Sequence, residues 1–267
     1  MIIDDLKTIV DRERDVDRLF VRNLLKESLQ LYVLNFIYSS SWGKRLIFKG
    51  GSCLRHFFDL PRLSEDLDFD IDSKDFNSSD FLLEIRDHFI KTWQYRDFDL
   101  SMSGKEQSIK LKFPVLEELG LAGKGESNIL FLRIDLVRMK NFDKYKVEND
   151  VKSTVNFSFL ARRYALPDLF SGKIAAILSR GRIKGRDYFD LSWFLEKRVE
   201  PNIESLEQLT GIKTVQDLRK VLKSKVVELD LTVLKEDLNF LFRDKGFVAT
   251  FSSGYKEMVL RMIDQSL

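Results

Sequence analysis

Between Asp66 and Asp72 the chain reads Asp-Leu-Asp-Phe-Asp-Ile-Asp. A strict alternation of charged and apolar residues suits a strand, which sends Leu67, Phe69 and Ile71 to one face and the carboxylates to the other. Asp is a poor strand former, so four in seven residues cost stability without a compensating role. Asp66 and Asp68 would project from one face about 6 to 7 Å apart. Carboxylates that close repel each other unless a cation lies between them. An all-oxygen site of this kind suits Mg²⁺ (or Mn²⁺), which takes one or two protein carboxylates and fills its shell with water and substrate phosphates. Asp135, in Phe-Leu-Arg-Ile-Asp-Leu-Val, is the candidate third carboxylate. The competing reading is the solvated face of an edge strand.

Just upstream, Lys49-Gly50-Gly51-Ser52 separates a short apolar strand (45–48) from a short helix that stops before Pro61. Paired glycines let backbone approach a ligand, and a helix start offers free N–H groups to phosphate. Taken alone, an ordinary tight turn with Ser52 as N-cap explains these residues at least as well. The turn lacks the Gly-Lys-Ser/Thr ending of a Walker A loop, which argues against a P-loop ATPase. The order of turn, serine, short helix and carboxylate strand is what favours a site gripping a triphosphate from two sides.

The remaining pattern predicts an α/β (α+β) chain. A helix is expected over 16–39, broken by Gly43, and another over 79–95. Segments 97–103 and 107–113, joined through Ser-Gly-Lys, read as a hairpin, and 129–137 as a further strand. Beyond about residue 160 the texture becomes helix upon helix: 167–180, 187–198, 203–209, 214–225, 229–242 and 254–265. The expected domains are a mixed-sheet core with an N-terminal helix (1–160) and a helical domain (161–267) completing the active-site cleft.

Charge is balanced, with 44 basic and 42 acidic residues, too even for bulk electrostatic coating of nucleic acid. One cysteine excludes an internal disulfide and a cysteine zinc cluster, and two histidines exclude a His-rich metal site. Cys53, His56 and His88 sit among apolar neighbours and read as packing. The 22 phenylalanines point to cores rather than to a stacking surface. The acidic residues Asp4, Asp5, Asp11, Glu13 and Asp15 near the N-terminus argue against a signal peptide, and no apolar run approaches a membrane span. The expectation is a cytoplasmic chain without a membrane partner.

The segment Phe48 to Ile71, with its Gly-Gly-Ser turn followed by Arg62, Ser64, Asp66 and Asp68 as R-x-S-x-D-x-D, resembles the first motif of the AbiEii/AbiGii toxin family. That family is placed in the DNA polymerase β-like nucleotidyltransferase superfamily. A second stretch is similar to the family's later signature, a Lys on one helix followed by Arg-Asp-x-x-Asp opening the next. Here those residues are Lys173, Arg180, Arg186, Asp187 and Asp190. The resemblance implies a polymerase β-like mixed sheet and metal-dependent transfer of NMP from an NTP, with tRNA 3′ ends as acceptors in some members. It also implies a toxin paired with a cognate antitoxin. By this reading Gly50, Gly51, Ser52, Arg62 and Ser64 bind nucleotide, Asp66, Asp68 and Asp135 bind metal, and Asp66, Asp68, Lys173 and Asp187 carry catalysis. Protein NMPylation, and a catalytically silent binding module of the same fold, are the alternatives.

Helical geometry offers an independent check. On 167–180, Phe170, Ile174, Ile177 and Leu178 form an apolar stripe with Asp168, Ser171, Ala175 and Ser179 opposite. Lys173 falls on the buried side, where an ammonium needs an anionic partner or must snorkel. Asp187 lines up with Leu191 and Phe194, whereas Asp190 falls toward a wetter side near Lys197. Lys173 is thus cast as the neutraliser of phosphate charge, oriented by Asp187. The basic stretch Arg180 to Arg186 reads equally as a helix-end complement or as a phosphate-contacting edge for RNA, with Arg162-Arg163 adding to it.

Overall fold

The computed structural model describes residues 2–103, 108–139 and 143–267. In chain order come α1 (Ile2–Arg12), α2 (Arg18–Tyr38), a 3-10 turn (Ser41–Lys44), β1 (Leu46–Lys49), α3 (Gly50–Phe58) and β2 (Asp66–Ile71). Next are α4 (Ser78–Lys91), β3 (Asp99–Ser103), β4 (Ser108–Phe113), β5 (Leu130–Arg138), β6 (Val147–Ser153) and β7 (Ser158–Tyr164). The remainder is helical: α5 (Leu166–Ser179), α6 (Gly185–Glu196), α7 (Ile203–Thr210), α8 (Val215–Glu228), α9 (Leu231–Leu238) and α10 (Lys245–Ser266).

The strands form one mixed, seven-stranded sheet in the order β3-β4-β5-β2-β1-β7-β6. β2 therefore lies at the centre, which overturns the edge-strand reading of its aspartates. It pairs antiparallel with β1 and parallel with β5. Leu67 and Phe69 are fully buried, and Phe69 stacks on Phe48 of β1 with ring centroids 5.1 Å apart. The expected hairpin is present as antiparallel β3 and β4, while the Gly104 and Lys105 of its predicted turn lie outside the described residues. Three elements were not expected: α1, β6 and β7. β6, Val-Glu-Asn-Asp-Val-Lys-Ser, is a largely solvated edge strand with almost no apolar period to announce it.

Two compact units divide the chain. The first is Met1–Asp59, Leu63–Lys140 and Asn149–Arg163; the second is Leu60–Arg62, Asn141–Glu148 and Tyr164–Leu267. In the first, α2 packs on β5 and α3 on β2, and Phe89, Phe98 and Phe113 cluster beneath α4. In the second, α5 packs on α6 and α7, while α10 packs on α6, α8 and α9. Phe170 of α5 and Phe194 of α6 stack at 4.4 Å at its centre. Asp168 and Ser171, opposite the apolar stripe of α5, are also buried, because α7 packs on α5. Asp168 accepts hydrogen bonds from the Lys146 backbone N–H at 3.0 Å and from Asn202 Nδ2 at 2.7 Å, and Ser171 Oγ donates to the Asn202 carbonyl at 2.8 Å.

Candidate active site

The acidic face of β2 extends onto β5 through their parallel register, which sets Asp66 opposite Arg133 and Asp68 opposite Asp135. Arg133 occupies the same face as Asp135, two residues on along the strand. Its Nη2 donates to Asp66 Oδ2 at 2.6 Å, and its Nε lies 3.2 Å from Asp135 Oδ2. A guanidinium thus already counters two of the three carboxylates. Arg133 is not among the residues expected at the site; its spacing of two from Asp135 on the same strand is the signal that the sequence offers for it. Asp70, the next residue of the alternation, is buried and pairs with Lys49 Nζ at 2.5 Å.

The glycine turn presses directly against this face. Gly50 has φ +78°, and a Cβ added there would sit 2.2 Å from Asp68 Oδ2. Both facts require glycine: the left-handed backbone disfavours a side chain, and the carboxylate fills the space one would need. α3 starts here without any side-chain cap, so the N–H groups of its first turn are not answered by a capping side chain. Ser52, by contrast, turns inward. It is fully buried, its Oγ donates to the Asp66 carbonyl, and it lies 2.9 Å from Ser64 Oγ. Ser64 is held in turn by Gln30, whose Nε2 donates to the Ser64 carbonyl at 2.8 Å. These two serines brace the entry to β2, and neither hydroxyl is presented to solvent.

The other predicted residues cluster within the second unit. Lys173 Nζ lies 2.8 Å from Asp187 Oδ1 and 2.7 Å from Asp190 Oδ2. Burial pulls the Lys173 ammonium toward neutrality, but the fields of Asp187 and Asp190 outweigh it and hold its pKa above the ordinary lysine value. Burial likewise penalises the Asp187 carboxylate, and Lys173 and then Arg180 overcome that penalty, so its pKa falls below the usual range. Arg180 Nη1 donates to Asp187 from the more exposed side. Asp190 is not on a wet side at all: it is fully buried, because α6 is enclosed by α5, α9 and α10. Its partner is Arg62, whose Nε and Nη2 donate to Asp190 Oδ1 and Oδ2 at 2.6 and 2.7 Å. Arg62, expected to bind nucleotide, is itself buried, with its side chain 2% exposed.

Beyond Arg180 the basic loop lines a small cavity together with α8. Arg180, Arg182, Lys184 and Lys225 line it together with Asp187 and Glu228, over Ile177 and Tyr188. The residues declined as functional behave as packing. Cys53 is buried, which pushes its thiol pKa up, and His56 is held near a pKa of about 3 by burial.

The acidic face fits a divalent cation. Its donors are all carboxylate oxygens on registered strands, and the guanidinium of Arg133 marks it as a face that binds positive charge. Among the described residues no three carboxylate, imidazole or thiol groups converge into a ready metal cage. Among the described residues no helix is long and apolar enough to cross a membrane.

Comparison with known proteins gives three findings. No curated protein sequence matches the chain. Two solved structures from Helicobacter pylori are similar to it: a candidate nucleotidyltransferase at 19% identity, covering 91% of this chain and 96% of that one with a TM-score of 0.49, and JHP933 at 18% identity, covering 91% and 94%, also with a TM-score of 0.49. The third finding is a match over residues 34–263 to the family described as nucleotidyl transferase AbiEii toxin, Type IV toxin–antitoxin system. That span takes in the glycine turn, the carboxylate strands and the Lys173 cluster, so the chain belongs to the AbiEii toxin family and is a nucleotidyltransferase.

Proposed function

We propose that this enzyme transfers an NMP from an NTP to a hydroxyl of an RNA, such as a tRNA 3′ end, with Mg²⁺ or Mn²⁺ as cofactor. The observation that carries the reading is the packing of the Gly50 turn onto Asp68, itself registered against Asp135. A phosphate cradle and a set of metal carboxylates meet there at a distance that leaves no room for a side chain. Asp66 and Asp68, with Asp135 as third ligand, would hold the cation, which when bound neutralises triphosphate charge and polarises the reacting phosphoryl group.

The backbone N–H groups of Gly50, Gly51 and Ser52 bind phosphate oxygens at the uncapped start of α3. The Ser52 and Ser64 hydroxyls serve this indirectly, by fixing the strand that bears Asp66. Lys173 supplies an ammonium for phosphate charge, and Asp187 orients it. The acceptor hydroxyl attacks the α-phosphorus in line, the bond to the bridging oxygen breaks, and pyrophosphate leaves. Catalysis is mainly positioning and charge neutralisation. An RNA acceptor is favoured over a protein hydroxyl by the excess of basic side chains lining that cavity, Arg180, Arg182, Lys184 and Lys225 against Asp187 and Glu228, which suits a phosphodiester backbone. A cognate antitoxin protein is the expected partner.

Incubation of the protein with each α-³²P-labelled NTP, total RNA and total protein tests this reading. Label removed by ribonuclease and not by protease is the expected result. Label removed only by protease would overturn the choice of acceptor, and no label with any NTP would overturn the reading as a whole.

A further inference from the structure

We propose that Arg62 and Asp190 are a positioning pair that fixes the ammonium of Lys173 for nucleotidyl transfer. The proposal rests on the role given to Lys173 above. Arg62, Asp190, Lys173, Asp187 and Arg180 form a chain of alternating charge, each ion touching the next. Its formal sum is one positive charge, which keeps the chain attractive to an anion.

The geometry within the chain is unequal. Asp190 Oδ1 takes Arg62 Nε, whereas Oδ2 takes both Arg62 Nη2 and the Lys173 ammonium. A planar guanidinium fork on both oxygens fixes the plane of the carboxylate. The oxygen offered to Lys173 is therefore held in one orientation, and the flexible lysine stem is set by a rigid group it does not touch. Lysine has three ammonium donors. Two are directed at Asp187 and Asp190, leaving one for a substrate oxygen.

Stability alone is a weak reason for this pair. Taking two charges out of water costs several kcal/mol, and replacing a buried ion pair by well-packed apolar residues is often neutral or stabilising. The sequence carries the same hint: Arg62 and Asp190 belong to the two motifs that hold the candidate nucleotide residues, 128 positions apart. Beyond the chain itself, Arg186 acts on Asp187 and the buried Tyr255 lies in the field of Asp190.

The test compares Lys173→Met, Asp190→Asn, Arg62→Lys and the double variant Arg62→Met/Asp190→Leu. Thermal melts are paired with apparent kcat and KM for α-³²P-NTP, using total RNA as acceptor. Asp190→Asn should lower kcat on the order of tenfold or more, with KM changed far less, because an interaction made in the transition state has been loosened. Arg62→Lys keeps the charge but loses the fork and should show the same kcat loss. Asp190→Asn also strands a buried guanidinium and can fail to fold, in which case the double variant decides. It removes both charges, and the proposal expects it to melt like the wild type while keeping the kcat loss. A folded double variant with wild-type kcat would overturn the positioning pair. So would an Arg62→Lys or Asp190→Asn variant whose rate falls only with its folded fraction. Lys173→Met separates the two ideas: if it stays active the role of Lys173 fails, and if it is dead while the double variant is active only the pair fails.

Discussion

At Gly50 the backbone sits at φ +78° with the Asp68 carboxylate occupying the position a methyl group would take, 2.2 Å from it. Gly50→Ala therefore strains the turn, by about 1 kcal/mol or more for the left-handed conformation, and also displaces Asp68. The expected outcome is a melting temperature lowered by a few degrees and a loss of NTP-dependent labelling of about a hundredfold or more. Near-normal activity in a folded Gly50→Ala protein would separate the turn from the site. Asp68→Ala should abolish labelling in a protein that still folds, because it removes a carboxylate from the acidic face without opening the core. Asp66→Ala differs, since it takes a partner from Arg133, which still has Asp135. His56 gives a pH signature of its own. Burial holds the ring neutral with a pKa of about 3 against an ordinary 6.5, and it lies 2.9 Å from Gln30 Oε1. Between those values the unfolded chain takes up a proton that the folded chain does not, so stability rises with pH through the window. His56 stabilisation is complete above 6.5 and is lost on acidification, at up to about 1.4 kcal/mol per pH unit. Urea melts at pH 7, 6 and 5 should show a shallower dependence in His56→Gln than in the wild type; parallel curves would contradict this.

Among the elements, α6 shows best what a periodicity can and cannot reveal. It begins at Gly185, where an added Cβ would lie 2.6 Å from Leu234 Cα, and the Gly185 N–H donates to Asp237 Oδ2 at 2.6 Å. α9 thus approaches α6 at backbone distance. Gly185→Ala should push the helices apart and destabilise by roughly 1 to 3 kcal/mol, read as a lower urea midpoint; an unchanged midpoint would show that the contact relaxes freely. From the helical pattern, Lys173 and Asp187 were legible, because each breaks an apolar stripe. Asp190 was not, because a one-stripe helix was assumed, whereas residues 187–195 are all buried under three neighbouring helices. The alternation of β2 announced a strand but not its central place, since its neighbours arrive from residues 46–49 and 130–138 and no local pattern encodes that pairing. β6 was silent because a solvated edge strand has no apolar period to read. The place of the Ser52 hydroxyl was not legible for a related reason: its partners, the Asp66 carbonyl and Ser64 Oγ, come from more than ten residues away.

Over the whole chain, the family match makes this a nucleotidyltransferase of a toxin–antitoxin family. Expression of the wild-type chain alone should arrest bacterial growth, and the Asp68→Ala form should not. Equal growth of the two at matched protein levels would break the link between this face and toxicity. If the β2–β5 carboxylates, assisted by a divalent cation, drive transfer of NMP to RNA as proposed, the reaction should depend on both the carboxylates and the cation. The most direct measurement is single-turnover transfer of label from α-³²P-NTP to total RNA, run for wild type and Asp68→Ala, with EDTA and with Mg²⁺ restored. The expected result is ribonuclease-sensitive label in the wild type that vanishes with EDTA, returns with Mg²⁺, and is absent from folded Asp68→Ala. Equal labelling by the two proteins, or labelling indifferent to EDTA, would contradict it.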